Sequence, residues 1–392
     1  MIKSVSVDTL VVGAGPAGLM FSRKLASKGF KVLVVEKENR LAEKPCGEGI
    51  SARVLTTAEI SEKEKYRFVA REIKRAYVYS PSGNRVVLEG NNETLGYIIN
   101  KKNFLEVMAE YASEQGTEIM VSEPAKEFEK IDDGFRVKTK SLWVNTRLLV
   151  GADGYLSTVA KKLNLEQRGD RKIIPSLQYV FVNVNLEDWE ATEFYLGHDV
   201  APLGYAWIFP KDGKKANVGI GVQKGSPLYY LEKFIKDHPE KFGKATKVEF
   251  RGAAVTIGGI LKKIVGDNVM LIGEAAGQVI PLTGGGIHSS IAGGSIAAEI
   301  AIEAFEENNL SSVKLKKYID EYNRHWGKRI RDSKKALEAI EKLSDEELDK
   351  LAEILEPEDV LDLANGLNIT RVAAKLMKYP LFSMKIATKL LS

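Results

Sequence analysis

The sequence predicts an α/β protein (α+β overall) in which a parallel sheet is built from separated segments, an antiparallel sheet is inserted, and the C-terminal region is helical. From Thr9 to Glu36 the chain reads TLVVGAGPAGLMFSRKLASKGFKVLVVE. Two apolar runs around a glycine-rich turn and an amphipathic segment predict a βαβ unit. After a long β-rich, aromatic segment, Val269 to Ile272 returns to the pattern of a buried parallel strand. We therefore expect the second sheet to interrupt the first domain.

The composition indicates a folded protein with more than one domain. Its 392 residues are 44% hydrophobic and 28% charged, which suffices for a sizeable core. A net charge of +4 is mild for this length, so we expect no nucleic-acid partner. We expect these bounds: 1–70, 100–170 and 262–310 for the discontinuous parallel-sheet domain, 71–99 and 171–261 for the antiparallel-sheet domain, and 311–392 for the helical region.

The one cysteine and four histidines limit which disulfides and metal sites the chain can form. The single cysteine, Cys46, excludes an internal disulfide and a cysteine-based metal cluster, and it fits a reducing compartment. His198, His238 and His325 are scattered without metal-ligand spacing, so we expect no metal. The sequence runs almost directly into its first predicted strand, so we expect no signal peptide. We expect a cytoplasmic location.

The remaining elements follow from periodicity and turn residues. A glycine-rich loop, KENRLAEKPCGEGIS, follows Glu36. In the first half we then expect, in order, strands at Arg71–Tyr79, Val86–Leu88 and Leu95–Ile99, a helix over 102–115 ended by Gly116, a strand at Glu118–Val121 returning to the first sheet, a hairpin of Phe128–Ile131 with Phe135–Thr139, and a buried strand at Arg147–Val150.

The pattern in the second half of the sequence predicts the strands of the inserted sheet, followed by helices. We expect strands at Ser176–Asn185, Glu193–Leu196, Gly204–Phe209, Ala216–Val222 and Glu249–Ile257, and helices at Pro227–His238, Gly293–Glu307 and Ser312–Leu343. Ser344-Asp345-Glu346-Glu347 has the pattern of a capping box and opens another helix. The uncharged segment Ala275–Ala298 is rich in Gly and Ser and only weakly apolar, so we interpret it as buried protein and not as a membrane span.

The glycine-rich turn has the pattern of a dinucleotide-binding fingerprint. Gly13, Gly15 and Gly18 stand at G-x-G-x-x-G spacing, which serves the tight turn, the approach of a pyrophosphate and close helix packing. The helix that follows presents unpaired N–H groups to that pyrophosphate. Glu36 lies roughly 20 residues further on, where an acid accepts hydrogen bonds from ribose hydroxyls. Strand, helix and acid together predict dinucleotide binding.

Two further acids and a glycine turn follow later strands. Asp153 in LLVGADG and Glu274 in VMLIGEAAG each come just past the C-terminal end of an apolar strand, where ligands bind in such sheets. They suggest extra hydroxyls to hold, as in the ribityl chain of a flavin dinucleotide; the alternative is a turn or helix-capping role. The segment PLTGGGI, Pro281 to Ile287, opens a helix whose N-terminus would stabilise the negative charge of a reduced flavin, or its glycines merely permit close packing.

Taken together, GAGPAG, PCGEGIS, GADG, GEAAG and PLTGGGI closely resemble the geranylgeranyl reductase family of FAD-dependent oxidoreductases. Tyr205-Ala206-Trp207-Ile208-Phe209-Pro210 followed by Gly219-Ile220-Gly221 matches the Y-x-W-x-F-P…G-x-G pattern of that family's substrate domain. The resemblance covers nearly the whole chain. It implies a Rossmann-like FAD-binding domain and the saturation of isolated carbon–carbon double bonds in geranylgeranyl (prenyl) chains of archaeal-type ether lipids or their precursors.

The resemblance also implies roles for individual residues. For the adenosine half of FAD, it implies backbone contacts to the pyrophosphate from Ala17 and Gly18, a ribose contact from Glu36 and an adenine contact from Ala125. For the flavin half, it implies that Cys46, Gly47 and Gly49 line the reactive face of the ring and that Gly286 and Ile287 contact the isoalloxazine. Two positions depart from the family. Lys101 stands where the family usually has arginine, which replaces a fork of donors with a point charge. Glu274 replaces the usual aspartate and is one methylene longer.

In the implied reaction, hydride passes from reduced flavin N5 to one alkene carbon and a proton reaches the other. An isolated alkene carries no group for an oxyanion hole, so the substrate needs an apolar tunnel beside the flavin. Tyr205, Trp207 and Phe209 share one strand face and would border it; the alternative is an ordinary core face. Cys46 is the candidate catalytic thiol, against a packing role. His288 is a candidate proton relay, against a locally satisfied helix residue.

Partners and rival functions stay open at this point. The one well-flanked fingerprint should hold FAD, so the electron donor is NAD(P)H docking elsewhere or a ferredoxin-type carrier. Arg371 to Ser392 is basic and amphipathic, which is typical of peripheral membrane contact or of a helix packed on its domain. The rival functions are a flavin-dependent monooxygenase, which shares the dinucleotide motifs, and an electron-transfer or lipid-binding flavoprotein without alkene chemistry.

Overall fold

The computed structural model describes residues 3–90, 93–166, 169 and 171–391, with residues 381 and 383 described by their backbone alone. Within them the strands are, in chain order, β1 (Lys3–Val12), β2 (Val32–Val35), β3 (Gly49–Ser51), β4 (Val69–Ile73), β5 (Arg75–Tyr79), β6 (Arg85–Glu89), β7 (Gly96–Ile99), β8 (Glu118–Met120), β9 (Glu127–Ile131), β10 (Gly134–Lys138), β11 (Leu142–Gly151), β12 (Ile173–Val182), β13 (Ala191–Tyr195), β14 (Tyr205–Pro210), β15 (Lys215–Gly221), β16 (Thr246–Thr256), β17 (Val265–Gly266) and β18 (Val269–Leu271).

The α-helices of the same described residues are α1 (Pro16–Ala26), α2 (Val54–Thr57), α3 (Lys101–Glu114), α4 (Thr158–Lys162), α5 (Pro227–Asp237), α6 (Pro239–Phe242), α7 (Ile287–Glu306), α8 (Ser312–Leu315), α9 (Lys317–Tyr322), α10 (Lys328–Ile340), α11 (Asp345–Ile354), α12 (Pro357–Asn365), α13 (Ile369–Leu376), α14 (Pro380–Phe382) and α15 (Thr388–Leu391). Glu62–Arg67 and Gly273–Ala276 form 3₁₀ turns, and Asn323–Gly327 and Ser383–Ala387 form π-helical turns.

The first sheet confirms the predicted α/β class and its discontinuous assembly. Its central order is β17-β18-β11-β1-β2-β8, and β10 and β9 extend it beside the first half of β11. β1 runs parallel to both neighbours, with Thr9 opposite Val32 and opposite Leu148. β18 joins parallel to β11 after the whole second sheet has been completed. Its central part, formed by β2, β18 and the C-terminal halves of β1 and β11, is buried and almost wholly apolar. Helices cover this part of the sheet: α1 packs on β1 and β2, and α7 packs on α1.

The second sheet is mostly antiparallel, in the order β16-β12-β15-β14-β13-β5-β6. One pair departs from the expectation: β13 runs parallel to β5, with Ala191 opposite Arg75. This arises because β5 and β6 enter the sheet from a much earlier part of the chain. The sheet therefore joins two chain segments, as the domain bounds assume, and the bounds themselves stay a prediction.

A small third sheet, in the order β3-β7-β4, was not predicted. The single strand expected over Arg71–Tyr79 was wrong, because the chain changes sheet at Lys74: β4 pairs with β7, whereas β5 pairs with β6 and β13. Side-chain alternation continues across that change, so periodicity cannot reveal it. β3 lies within the glycine-rich loop that we expected to be irregular, and it pairs with β7 from Gly49 to Ser51.

The helical predictions were correct in type and partly wrong in extent. α7 begins at Ile287 and not at 293, because its first turns are small and polar residues without apolar periodicity. The helix expected over Ser312–Leu343 is divided into α8, α9 and α10, with a π-helical turn before α10. The capping box is confirmed: Glu347 N donates to Ser344 Oγ (3.3 Å), and Ser344 N donates to the Glu347 carboxylate (2.9 Å).

The C-terminal tail packs against the helical region. Its buried apolar side chains belong to the core of that region: Val372, Leu376, Phe382, Ile386 and Leu390. Its cations form ion pairs, among them Arg371–Asp362, Lys375–Asp359, Lys385–Glu347 and Lys389–Glu338. These contacts support the packed alternative for most of Arg371–Ser392; Ser392 itself lies outside the described residues. In the described part of the chain, no helix combines the length and apolarity that a membrane crossing needs.

Candidate active site

The three fingerprint glycines lie at the N-terminus of α1 and differ in their surroundings. Gly13 has φ +107°, and a Cβ there would overlap Ala152 O and lie 2.7 Å from its carbonyl carbon. A Cβ on Gly18 would overlap Gly13 O. At Gly15, by contrast, no atom of the described residues lies within 4 Å of the position that a Cβ would take. Gly13 and Gly18 are therefore required by packing, whereas Gly15 borders open space at a helix N-terminus, where a pyrophosphate fits.

Glu36 lies at the C-terminal end of β2 and binds two backbone amides. Its Oε2 accepts from Ala14 N (3.0 Å) and its Oε1 from Glu38 N (3.1 Å). A cavity of about 700 Å³ lies beside it, between the residues after β2 and those after β8. Its lining includes Lys37, Glu38, Asn39, Arg40, Ser122 and Pro124. Ala125 follows Pro124 and is half-buried. This is a suitable place for the adenosine end of a dinucleotide, and the individual contacts stay predictions.

Asp153 is engaged by the start of α4. Oδ1 accepts from Ser157 Oγ (2.6 Å), and Oδ2 accepts from Thr158 N (2.6 Å) and Val159 N (3.2 Å). Burial raises the pKa of this carboxyl group, and these hydrogen bonds oppose the rise. Such contacts are those of a helix cap, which was the alternative interpretation. A contact between Asp153 and the ribityl chain stays a prediction. In such a contact, the ribityl hydroxyls would share the carboxylate oxygens with these protein donors.

Glu274 links three of the glycine-bearing loops. Its Oε2 pairs with Lys44 of the PCGEG loop and lies 3.9 Å from the Cβ position of Gly154 in GADG. Its Oε1 accepts from Thr256 N (3.3 Å). A Cβ on the neighbouring Gly273 would lie 2.8 Å from Ala17 Cβ in the fingerprint. Four of the five glycine-bearing motifs, which are distant in sequence, thus meet at or beside Glu274.

The loop that contains Cys46 lies on the second sheet. Gln178 Nε2 donates to Cys46 O (3.1 Å), and Asn217 Nδ2 donates to Gly47 O (3.1 Å). A Cβ on Gly47 would lie 3.0 Å from the Phe209 ring, and one on Gly49 3.2 Å from it. The glycines therefore allow the loop backbone to rest on an aromatic ring of β14. The Cys46 thiol is half-buried, and its sulfur accepts from Glu48 N (3.3 Å).

Glu48 is a residue that sequence reasoning missed. It is buried, has φ +70°, and accepts from Lys211 Nζ (2.5 Å), Asn217 Nδ2 (2.8 Å) and Lys101 N (3.1 Å). It therefore fastens the Cys46 loop to both the second sheet and α3. In the sequence it was one acid in a polar loop; the only signal was its place between two glycines, where a solvent-exposed role looks equally reasonable.

Replacing Glu48 should destabilise the protein. We expect Glu48→Gln to lower the free energy of unfolding by about 3 kcal/mol, because the half-buried Lys211 ammonium loses its buried counter-charge. The matched control is Glu43→Gln in the same loop, whose partner Arg40 is exposed, and it should cost less than about 1 kcal/mol. Urea unfolding measures both. Equal losses in the two variants would contradict the anchoring role.

Lys101 is half-buried beside this loop. Its Nζ donates to Lys44 O (2.6 Å). Burial lowers the pKa of the ammonium group, while Cys46, Glu48 and Glu274 act to raise it. No carboxylate of the described residues accepts a hydrogen bond from this ammonium. A half-buried cation without such a partner fits an anionic cofactor group, and the contact stays a prediction.

The side chains of Tyr205, Trp207 and Phe209 lie on one face of β14, as predicted. The Tyr205 hydroxyl donates to Thr283 O (2.5 Å), which joins this strand to the PLTGGG turn. Burial raises the pKa of Tyr205. The Trp207 and Phe209 rings belong to a small apolar cluster with Ile73 and Ile98. Within the described residues, the buried Trp207 Nε1 has no hydrogen-bond partner, which suits a face that meets a ligand.

Gly286 and Ile287 lie where α7 begins, so the glycine turn does open a helix. His288 follows, with Nδ1 3.2 Å from Ser51 Oγ and Nε2 2.7 Å from Thr57 Oγ1. Burial lowers the pKa of His288 to about 4, so the ring is neutral at neutral pH. Both nitrogens are satisfied by nearby hydroxyls, which supports the alternative to a proton relay.

His288 should make stability depend on pH. Its pKa is about 4 in the folded protein and 6.5 as the ordinary value, so the unfolded chain binds the extra proton between these pH values. The contribution of His288 to the free energy of unfolding is complete above pH 6.5 and is lost as the pH falls towards about 4. We expect urea midpoints to fall less steeply over this range in His288→Asn, which does not titrate. An unchanged slope would contradict the assignment.

Comparison with known proteins agrees with this geometry. Residues 172–255 match the model of the geranylgeranyl reductase catalytic domain, and residues 11–43 match that of an NAD(P)-binding Rossmann-like domain. A digeranylgeranylglycerophospholipid reductase of Methanopyrus kandleri is 34% identical over 98% of this chain and 99% of its own length. The chain belongs to the geranylgeranyl reductase family. A second such reductase, from Methanocaldococcus jannaschii, is 35% identical over 95% of this chain and 97% of its own.

A solved structure resembles the whole chain of this geranylgeranyl reductase family member. The geranylgeranyl bacteriochlorophyll reductase-like protein of Thermoplasma acidophilum has a TM-score of 0.88 and 30% identity, with 98% of this chain and 99% of that chain covered. A flavin-dependent brominase has a TM-score of 0.72 at 17% identity, covering 97% of this chain and 100% of that chain. The second likeness shows a shared fold alone.

Proposed function

We propose that this protein is an FAD-dependent reductase that saturates isolated double bonds of geranylgeranyl chains in archaeal-type ether lipids or their precursors. The observation that carries the proposal is the contact between the Cys46 loop and β14, where Gly47 lies against Phe209. It places the loop expected at the flavin's reactive face directly on the aromatic face expected to receive the prenyl chain. The family relatives named as digeranylgeranylglycerophospholipid reductases support the same substrate class.

The residues present fit FAD. The open space at Gly15 suits the pyrophosphate, and the cavity beside Glu36 suits the adenosine. Within the described residues, the buried side-chain atoms Trp207 Nε1 and Thr256 Oγ1 have no hydrogen-bond partner and are available to a ligand. Bound FAD supplies hydride when reduced. The remaining proposed contacts are those from Gly13, Ala17, Gly18, Lys101, Ala125, Asp153, Glu274, Gly286 and Ile287.

The chain's own groups have three tasks in this reaction. Phe209 and Trp207 exclude water from an apolar chain and hold its double bond in position. Cys46 holds the proton at Sγ that the second alkene carbon needs. Glu48, through Asn217 and Lys211, keeps the Cys46 loop on the sheet. No charged group is needed to stabilise an oxyanion, because an isolated alkene does not form one.

Anaerobic turnover tests the proposal against its rivals. Protein reduced with dithionite and mixed with a geranylgeranyl lipid without oxygen should yield the saturated chain, detected by mass spectrometry. A monooxygenase requires oxygen and would give no product. Reoxidation by a carrier protein without any saturated lipid would favour an electron-transfer flavoprotein.

The electron donor is either NAD(P)H or a ferredoxin-type carrier. The sequence offers one well-flanked fingerprint, which we assign to FAD, so NAD(P)H would dock transiently elsewhere. Anaerobic mixing of the oxidised protein with each donor in turn separates the two, because only the competent donor bleaches the flavin within a turnover time.

We also propose that Arg371–Ser392 contacts a membrane through its exposed residues only. Because the tail's inner face is packed, contact would use its exposed residues, such as Lys378, Met384 and Leu391. We propose a peripheral position on the cytoplasmic membrane face.

The membrane proposal predicts a specific loss. Met384→Glu combined with Leu391→Glu should reduce sedimentation with anionic liposomes, because both side chains are exposed and a carboxylate is repelled by the lipid surface. Val313→Glu is the control: Val313 and Met384 are each 82% exposed, and Val313 lies in α8, outside the tail. Equal sedimentation of the double variant and the control would leave the tail a packing role only.

A further inference from the structure

A cluster of basic side chains lies beside the start of α7, where the Cys46 loop meets the C-terminal helices. His288 joins the two sides: it contacts Ser51 and Thr57 on one side, and its ring meets the Trp326 ring at 4.7 Å on the other. The Arg329 guanidinium lies 4.4 Å from the centre of the Trp326 ring. His325, on the same π-helical turn, also packs on Trp326.

Arg53 completes the cluster from the opposite side. It immediately precedes α2, and its carbonyl accepts from Thr57 Oγ1 (3.1 Å), the hydroxyl that contacts His288. Its side chain is exposed and forms no ion pair or hydrogen bond with any other described residue. Its positive charge reaches His288, His325 and Arg329, since it acts to lower the pKa of all three.

Among the residues that the structure describes, no carboxylate pairs with Arg53, His325 or Arg329. Arg329 donates from Nε to Asn365 O (3.1 Å) and from Nη2 to Asn365 Oδ1 (3.2 Å), both neutral acceptors. Within the described residues, Nη1 of Arg329 has no partner. Most other described arginines are paired with a carboxylate, as Arg75 is with Asp188 and Arg324 with Glu321, whereas Arg71 and Arg331 bind neutral oxygens. The positive charges of Arg53 and Arg329 act on each other without a counter-charge, which a bound anion would supply.

We propose that Arg53, His325 and Arg329 form a binding site for a phosphate group. A fork of guanidinium donors matches phosphate oxygens, and the Trp326 ring and Asn365 hold the Arg329 fork in place before the ligand arrives. The His325 ring adds an N–H donor.

The position favours the phosphate of the lipid substrate, an inference that rests on the proposed function. Ser51 ends the strand that follows the Cys46 loop, and Gly286 and Ile287 precede His288 directly. A lipid whose prenyl chain lies on β14 needs a polar site for its headgroup at the edge of the same region. The phosphates of NADPH are the other source of this chemistry, and the experiment separates the two.

The test compares two lipids in dithionite-reduced holoenzyme, without nicotinamide. In Arg53→Gln and in Arg329→Gln we expect the KM for digeranylgeranylglycerophospholipid to rise about tenfold or more with little change in kcat, because a charge-assisted contact made equally in ground and transition states is lost. The ratio of this KM to that for phosphate-free digeranylgeranylglycerol should rise by the same factor. Arg324→Gln, on the same turn but paired with Glu321, is the matched control.

The outcomes are separable. An unchanged KM ratio in Arg53→Gln, which loses no internal contact and should fold normally, overturns the site. A rise confined to the KM for NADPH in a separate NADPH-driven assay assigns the site to the nucleotide and overturns the lipid assignment. If the wild-type protein reduces neither lipid, the proposed function fails. If it reduces both and only the ratio fails to move, the function stands and this inference alone is lost.

Discussion

Gly15→Ala should fold like the wild-type protein and lose FAD. Gly15 precedes α1 with φ −80° and ψ −179°, a conformation that alanine adopts without strain, and the added methyl group meets no atom of the described residues within 4 Å. The methyl group would instead occupy the space through which the pyrophosphate approaches the backbone amides. We expect FAD affinity to fall by about a hundredfold, equivalent to about 2.7 kcal/mol, with an unchanged unfolding midpoint for the apoprotein.

Gly13→Ala provides the contrast. The same methyl group there would overlap Ala152 O and require alanine at φ +107°. This variant should lower the apoprotein's unfolding midpoint before any cofactor is added. Flavin fluorescence titration measures affinity, and thermal unfolding of apoprotein measures stability. Normal FAD affinity in Gly15→Ala would show that the pyrophosphate does not lie at this turn.

Cys46→Ala should retain FAD and lose most alkene reduction. The thiol is half-buried in the loop that lies on β14, and its sulfur accepts from Glu48 N. Removing it takes away the proposed proton source, which we expect to lower kcat at least about a hundredfold, a typical contribution of a positioned acid. Flavin absorbance reports retention of the cofactor, and product analysis under anaerobic conditions reports turnover.

Cys46→Ser separates chemistry from loop structure. A serine oxygen can accept from Glu48 N as the sulfur does, but its hydroxyl is a far weaker acid than a thiol. Turnover in Cys46→Ser should therefore remain close to that of Cys46→Ala. Full recovery with serine would assign Cys46 a structural role, and unchanged turnover with alanine would remove it from the mechanism.

The sequence predicted the first sheet well because its strands carry local signals. The glycine spacing, the apolar runs and the acid after β2 all lie within one short segment, and the structure confirms the βαβ unit there. The later return at β18 was visible for the same reason: a strand buried on both faces is apolar throughout.

Other features depend on partners that are distant in sequence. The change of sheet at Lys74 and the parallel pairing of β5 with β13 leave no mark on alternation, because alternation reports which face is buried and not which strand is the neighbour. Glu48 looked like an ordinary loop acid. Its role became visible only when α3 and β15 were seen to supply its donors.

The sequence alone determined the fold class, the fingerprint, the family likeness and the residues expected at the flavin, because each depends on residue types at short spacings. The tertiary structure alone decided that the Cys46 loop rests on Phe209, that Asp153 accepts hydrogen bonds from the start of α4, and that the basic tail is ion-paired. Charge pairing and burial depend on which distant segments meet, and that follows from the packing of the whole chain.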